Sequence, residues 1–157
     1  MKPKLNIEST IPSYLTAIPS RDLIVAAHQQ ITREWWEARR DEFAIYISQF
    51  VLDEVGAGDS EASKKRLDAI EGFEQLDITD DVTNLAEAII DSGVIPQDSP
   101  TDAAHIAVAT VHGMQFLMTW NCAHIANAEI SSVVEDVCRT HGFECPVICT
   151  PEELMGG

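Results

Sequence analysis

The sequence predicts an α/β domain, in which a parallel sheet carries helices on both faces, over residues 1–157. Short apolar and β-branched runs alternate along the chain with longer segments whose apolar residues recur at helical spacing, a pattern typical of parallel sheets. No linker, repeat or low-complexity segment interrupts this alternation. A chain of 157 residues with 45% hydrophobic content suffices for one core, so we expect a single domain.

The first predicted elements are a strand and a short helix. Residues 4–8, KLNIE, form a short apolar run that ends on the acid Glu8. Residues 9–18 begin a helix with Ser9 or Thr10 as its N-cap and a proline in its first turn.

Three helices and one strand follow. Ser20 is predicted to cap a long helix through about Arg40, in which apolar residues recur at every fourth position. The β-branched and aromatic run at 42–48 predicts a strand. Residues 49–58 form a helix stopped by glycines, and residues 59–73 form a further helix.

The second half continues the alternation. Residues 74–78 predict a weaker strand, and residues 79–93 predict a helix that begins with two acids and ends at a glycine. Ser99 caps the next helix, which has Asp102 at its third position and ends at Gly113. The remaining predicted elements are a strand at 114–119, a helix at 128–142 and a strand at 145–150.

Composition limits the partners and the compartment. The chain has 26 acidic and 10 basic side chains and a net charge of −16, so it offers no broad basic surface to nucleic acid. A polyanionic substrate would therefore require a metal ion or a basic partner. No apolar run resembles a signal peptide or a membrane span, which predicts a cytoplasmic protein without membrane contact. The four cysteines include no CxxC pair, which favours reduced thiols over a zinc site.

Polar side chains are predicted to collect at one edge of the sheet, because sites in parallel sheets form beyond the carboxyl ends of the strands. Glu8 ends the first strand and Asn121 lies just past the fourth. Glu54, preferred over its neighbour Asp53, lies on the helix after the second strand. If the helix start at Asp102 faces the first strand, three carboxylates and one amide surround one crevice. Such ligands suit Mg²⁺ or Mn²⁺ and serve phosphodiester hydrolysis by metal-activated water.

Five segments resemble one family, in the same order and over nearly the whole chain. The segments LNIESTIPSYL, SQFVLDEV, PTDAAHIAVA, FLMTWNCAHIAN and CTPEEL resemble the PIN-domain proteins of the VapC toxin type. The resemblance implies a parallel five-stranded sheet flanked by helices and a ribonuclease that depends on Mg²⁺ or Mn²⁺. It also implies inhibition by a cognate antitoxin and assembly as a homodimer.

The resemblance assigns site roles to four residues. Glu8, Glu54 and Asp102 match the acids that hold the metal and serve catalysis, and Asn121 matches a further metal-binding position. Most members have aspartate in place of Glu8, and much of the family has aspartate in place of Asn121. A longer side chain at the first position and a neutral amide at the second bear on metal affinity and on the choice between Mg²⁺ and Mn²⁺.

Several residues keep a structural interpretation beside the functional one. Asp102 could be only an acid that stabilises the first turn of a helix, and Asn121 could be a turn residue. His105 is favoured as a hydrogen-bonded core histidine over a residue that orients a ligand. Trp120 is favoured as a packing residue over a base-stacking one. Thr119 is expected to donate a hydrogen bond beside the site.

Two other functional classes compete with a nuclease. One is a PIN-fold module that binds metal poorly and acts by protein or nucleic-acid association. The other is a phospho-receiver signalling domain, which needs an acid pair after its first strand and a lysine near the end of its fifth. Here Glu8 is followed by Ser9 and Thr10, and the segment VICTPEEL has no lysine, so the sequence disfavours the receiver.

Overall fold

A computed structural model describes residues 1–156 and contains one sheet with helices around it. The strands are β1 (Lys4–Ile7), β2 (Ala44–Ser48), β3 (Glu74–Leu76), β4 (Phe116–Met118) and β5 (Val147–Cys149). The α-helices are α1 (Thr10–Thr16), α2 (Leu23–Arg39), α3 (Gln49–Val55), α4 (Ser60–Ile70), α5 (Asp80–Asp91), α6 (Pro100–Val111) and α7 (Ala128–Thr140). Short 3₁₀ turns at Arg40–Glu42 and Glu152–Leu154 complete the chain. The predicted order of strands and helices is therefore confirmed.

All five strands are parallel, in the order β3-β2-β1-β4-β5. Strand β1 lies in the centre, where Asn6 is opposite Tyr46 of β2 on one side and Leu117 of β4 on the other. The chain winds outward from β1 in one direction to β2 and β3, and later in the other direction to β4 and β5. The crevice expected where the strand order reverses therefore lies beyond the carboxyl ends of β1 and its two neighbours.

Both faces of the sheet carry an apolar core. Successive side chains of a strand point to opposite faces, so Leu117 joins one core and Met118 the other. The first core receives the buried faces of α5, α6 and α7, and the second receives those of α1, α2 and α3. The prediction of helices on both faces of a parallel sheet is confirmed.

The start of the long helix was predicted wrongly. Asp22, and not Ser20, is the N-cap of α2, because its Oδ1 accepts hydrogen bonds from the backbone N–H groups of Ile24 and Val25 at 3.0 Å. Ser20 lies in the preceding turn, where its hydroxyl accepts from the N–H of Asp22 at 3.1 Å. Both residue types cap helices well, and the turn that follows α1 decides between them.

A glycine ends helix α6, just before strand β4. Gly113 follows α6 with φ +69°, in the left-handed region that other residues rarely adopt, and the chain then enters β4. All four cysteines are free thiols, with Cys138 and Cys149 buried. Within residues 1–156, no helix combines the length and the apolar character that a membrane crossing needs.

Candidate functional site

Glu8 is the buried carboxylate at the end of the central strand. Its backbone N–H extends the ladder by donating to the carbonyl of Met118 at 3.0 Å, and the residue is only 4% exposed. The Oε1 atom accepts three hydrogen bonds, from the N–H of Thr10 at 3.0 Å, the hydroxyl of Thr10 at 2.5 Å and the hydroxyl of Thr119 at 2.7 Å. Burial of a carboxylate is costly without such donors, and here neutral groups supply them.

Glu54 reaches the site from α3. Ser48, at the end of β2, caps this helix by accepting from the N–H of Val51 at 3.2 Å, which places Glu54 in the second turn. Its Oε1 accepts from the Ser9 hydroxyl at 2.7 Å and bonds Nε2 of His105 at 2.5 Å. The side chain thus points into the molecule and stays 42% exposed.

The neighbouring acid points elsewhere. Asp53 lies on the exposed side of α3 and bonds the amide of Gln49 at 3.1 Å. The preference for Glu54 over Asp53 as the inward acid therefore agrees with the structure. Phe50, one turn before Glu54, packs edge-on against the ring of His105, at 6.3 Å between centroids.

Two opposing effects act on the pKa of Glu54. Partial burial disfavours the charged carboxylate and raises the pKa. The hydrogen bond and the electrostatic attraction of His105, together with the hydrogen bond from Ser9, lower the pKa. The net result is a pKa below the ordinary glutamate value, so Glu54 is ionised at neutral pH.

Asp102 reaches the same edge from the first turn of α6. Pro100 takes the first helical position and the α6 start faces the loop after β4. Asp102 Oδ1 accepts from the amide of Asn121 at 3.1 Å, and Oδ2 bonds Nδ1 of His124 at 2.8 Å. Asn121 also orders that loop, because its Oδ1 accepts from the backbone N–H of His124 at 3.1 Å.

A continuous hydrogen-bond chain joins the strand-end acid to the helix-start acid. The Thr119 hydroxyl donates to Glu8 and accepts from the N–H of Asn121 at 2.9 Å, and the Asn121 amide then donates to Asp102. Glu54 is not part of this chain of hydrogen bonds; it bonds His105 and Ser9, the residue that follows Glu8 in the sequence. Glu8, Asn121 and Asp102 thus belong to one polar network at the carboxyl edge of the sheet, and Glu54 lies in a separate hydrogen-bonded group that begins at the next residue, Ser9.

The donor chemistry of this network suits a hydrated divalent cation. Among the described residues, no group of three or more His, Cys, Asp or Glu side chains is arranged to hold a metal ion. Within the same part of the chain, however, Glu8 and Glu54 each use only Oε1 for hydrogen bonds, which leaves both Oε2 atoms available. Mg²⁺ needs only one or two carboxylates when it keeps several waters, so these residues fit such an ion.

Two histidines contact the acids. Sequence reasoning favoured His105 as a satisfied core residue; it is buried and also bonded directly to Glu54. His124 was missed altogether. It lies three residues after Asn121. A turn at Asn121 was the sequence signal that could have placed His124 near Asp102. The hydrogen bond expected from Thr119 is present, and Ser9 and Thr10 donate further hydrogen bonds to Glu54 and Glu8.

Comparison with solved structures identifies the fold. The chain matches VapBC2 from Rickettsia felis bound to a DNA fragment from their promoter, with a TM-score of 0.60 and 15% identity, over 94% of this chain and 98% of that one. It also matches VapC20 of Mycobacterium tuberculosis, a toxin that cleaves the Sarcin-Ricin loop, with a TM-score of 0.52 and 16% identity, over 82% and 94% of the two chains. No family model and no curated protein sequence matches. The chain therefore has the PIN-like fold of VapC toxins, as its sequence motifs predict.

Proposed function

We propose that the protein is a divalent-metal-dependent endoribonuclease of the VapC toxin type. Glu8, Glu54 and Asp102 hold Mg²⁺ or Mn²⁺, and Asn121 assists. The observation that carries the proposal is that, in a VapC-like fold, one hydrogen-bond network joins Glu8, Asn121 and Asp102, while Glu54 bonds the residue next to Glu8. The sequence motifs and the hydrogen bonds both support a site at the carboxyl edge of the sheet.

The neighbouring side chains orient the three acids of the site. When bound, a divalent cation acidifies a nearby water and offsets the negative charge that develops on the phosphodiester. The hydroxyls of Thr10 and Thr119 fix the Glu8 carboxylate, so that its free oxygen keeps one direction. His105 and Asn121 orient Glu54 and Asp102 in the same way.

RNA, an antitoxin and a second copy of the chain are the proposed partners. The net charge of −16 leaves an RNA strand with little attraction to the surface, and a cation at the acidic network would supply the missing positive charge. One structural neighbour is VapBC2 bound to promoter DNA, which supports a cognate antitoxin, and another is a toxin that cleaves the Sarcin-Ricin loop. We further propose a homodimer that acts in the cytoplasm.

A second candidate function is a PIN-fold binding module without efficient catalysis. The observation in its favour is that residues 1–156 contain no ready group of three His, Cys, Asp or Glu side chains for a metal. Such a protein would bind a partner tightly and leave RNA intact. The first candidate is preferred, because a surface used only for association has no need of a nearly inaccessible acid joined by hydrogen bonds to a second one.

RNA cleavage separates the two candidates. The purified protein, freed of any bound partner, is incubated with labelled single-stranded RNA in Mg²⁺, in Mn²⁺ and in EDTA, beside the Asp102→Asn variant. We expect cleavage with either metal, and none in EDTA or with the variant. Cleavage that persists in Asp102→Asn would contradict the proposed ligand set. Intact RNA with folded wild-type protein would favour the binding module.

A further inference from the structure

Three aromatic rings form a parallel group beside the acidic network. The rings of His28 and Trp120 stack with centroids 3.9 Å apart and planes 9° apart. Tyr14 lies almost parallel to both, with centroid distances of 6.5 Å to His28 and 6.4 Å to Trp120 and interplanar angles of 20° and 16°. Since the two longer distances are nearly equal, Tyr14 lies to the side of the stacked pair and adds to its aromatic surface.

The buried ring gives this group a rigid base. Trp120 is 7% exposed, and its Nε1–H donates to the Thr32 hydroxyl at 2.8 Å. That hydroxyl donates in turn to the carbonyl of His28 at 2.6 Å, one turn earlier in α2. The rings of Tyr14 and His28 are only partly buried, so this pair carries the accessible aromatic surface.

One hydroxyl connects the aromatic group to Glu8. The backbone N–H of Trp120 donates to the Thr10 hydroxyl at 2.9 Å, and the same hydroxyl donates to Glu8. Trp120 also lies between Thr119 and Asn121 in the sequence, both members of the network. The aromatic group and the carboxylate of Glu8 are therefore held by the same hydroxyl, that of Thr10.

We propose that Tyr14 and His28 form a stacking site for a nucleobase of the RNA strand, next to the phosphodiester at the acidic network. The proposal rests on the proposed function and extends it to substrate binding. Trp120 supports the site from beneath. Stacking suits this chain because the attraction between a base and an aromatic face needs no basic surface, which a protein with a net charge of −16 lacks. It would accept every base, since each has a π face.

Binding of RNA without cleavage tests the stacking site. The affinity of a fluorescein-labelled single-stranded RNA is measured with Ca²⁺ in place of Mg²⁺ for the wild type, for His28→Leu and Tyr14→Leu, and for the aromatic-conserving variants His28→Phe and Tyr14→Phe. We expect each leucine variant to weaken binding about tenfold, because one base loses its aromatic partner, and the phenylalanine variants to stay within about twofold of the wild type. His141→Leu, an exposed histidine at the end of α7, is the matched control.

Abasic RNA locates the contact and separates it from a loss of folding. Oligonucleotides that lack one base at successive positions are titrated against the wild type and the two phenylalanine variants, which keep the ring packing. We expect one position at which the missing base weakens binding about tenfold, and at which His28→Leu, if it folds, causes no further loss. Leucine variants that bind like the wild type, or abasic RNAs that all bind alike, would overturn the stacking site.

The outcomes also distinguish this inference from the proposed function. If Asp102→Asn abolishes metal-dependent cleavage while all abasic RNAs bind with the same affinity, the proposed nuclease function is supported and the stacking site is refuted. If RNA binds through one base but is never cleaved, the stacking site stands and the nuclease is refuted. If the wild type binds no RNA at all, both are refuted.

Discussion

The two halves of the candidate site hold their acids in different ways. On the strand side, Glu8 is nearly inaccessible, and its Oε1 accepts three hydrogen bonds, two from hydroxyls and one from a backbone N–H. On the helix side, Glu54 and Asp102 are more exposed, and each bonds a histidine. The strand side thus relies on hydroxyl and backbone donors in a closed environment, and the helix side combines one neutral donor with one histidine at each acid.

This difference predicts which half is rigid and which half adapts. A nearly inaccessible carboxylate cannot readily exchange its donors for water, and it is costly to leave without them. An acid at a half-exposed position can exchange its partner for water or a metal at little cost. We infer that Glu8 fixes the position of the site and that Glu54, with 42% of its side chain exposed against 20% for Asp102, adjusts most when the cation binds.

The largest expected effect separates two adjacent acids of α3. Glu54→Gln is expected to lower RNA cleavage by at least about 100-fold, since a lost metal ligand removes several kcal/mol of charge stabilisation from the reaction. Asp53→Asn, which changes only an exposed side chain bonded to Gln49, should keep cleavage within about twofold of the wild type, a free-energy difference under about 0.5 kcal/mol. Cleavage rates under excess Mg²⁺ provide the measurement. Equal losses in both variants would remove Glu54 from the site.

The second effect compares the two halves through their hydroxyls. Thr119→Val keeps the side-chain shape but leaves buried Glu8 without one donor and the N–H of Asn121 without its acceptor, so we expect a loss of about 1–3 kcal/mol in the free energy of unfolding. Ser9→Ala should cost less than about 1 kcal/mol, because water can replace its bond to half-exposed Glu54. Urea denaturation in EDTA measures both. A larger loss for Ser9→Ala would reverse the assignment of the rigid half.

Asn121→Asp probes the loop between the halves. The substitution removes the amide that donates to Asp102 and places a second carboxylate beside it, so we expect about 1 kcal/mol of destabilisation in EDTA. A divalent cation would relieve that repulsion. Thermal unfolding in EDTA and in excess Mn²⁺ should therefore show a larger stabilisation by metal in the variant than in the wild type. A smaller stabilisation would contradict a cation site next to Asn121.

The smallest effect is the pH dependence that Glu54 contributes. Because His105 and Ser9 hold the folded pKa of Glu54 below its ordinary value of 4.5, this acid stabilises the fold above about pH 4.5 and loses its contribution as pH falls through the folded pKa. The stability difference between wild type and Glu54→Gln should accordingly shrink as pH falls below 4.5. Urea denaturation across that range, without divalent metals, measures the difference. A difference that grows in acid would contradict the lowered pKa.

The order of strands and helices could be predicted because local signals decide it. Alternating apolar runs, glycine stops such as Gly113 and acids at helix starts all act within a few residues, and the structure repeats that order. The start of α2 could not be chosen from the same signals. Ser20 and Asp22 are both good caps, and the turn after α1 gives the role to Asp22.

The site could be predicted only where topology places residues together. The carboxyl ends of parallel strands share one edge, so Glu8 and Asn121 were expected to be neighbours. Side-chain partnerships across the fold have no such rule. The contact of His124 with Asp102 depends on how the loop after β4 turns, and the contact of His105 with Glu54 depends on how α3 and α6 pack.

Binding of Mn²⁺ tests the central claim most directly, because it asks whether the acidic network holds a cation without reference to RNA. Titration followed by electron paramagnetic resonance measures free Mn²⁺ against the wild type, Glu8→Gln, Asp102→Asn and the control Asp53→Asn. We predict that the wild type and the control bind Mn²⁺ alike, and that the two network variants bind it at least about tenfold more weakly. A wild type that leaves Mn²⁺ free, or network variants that bind it as well as the control does, would contradict the account.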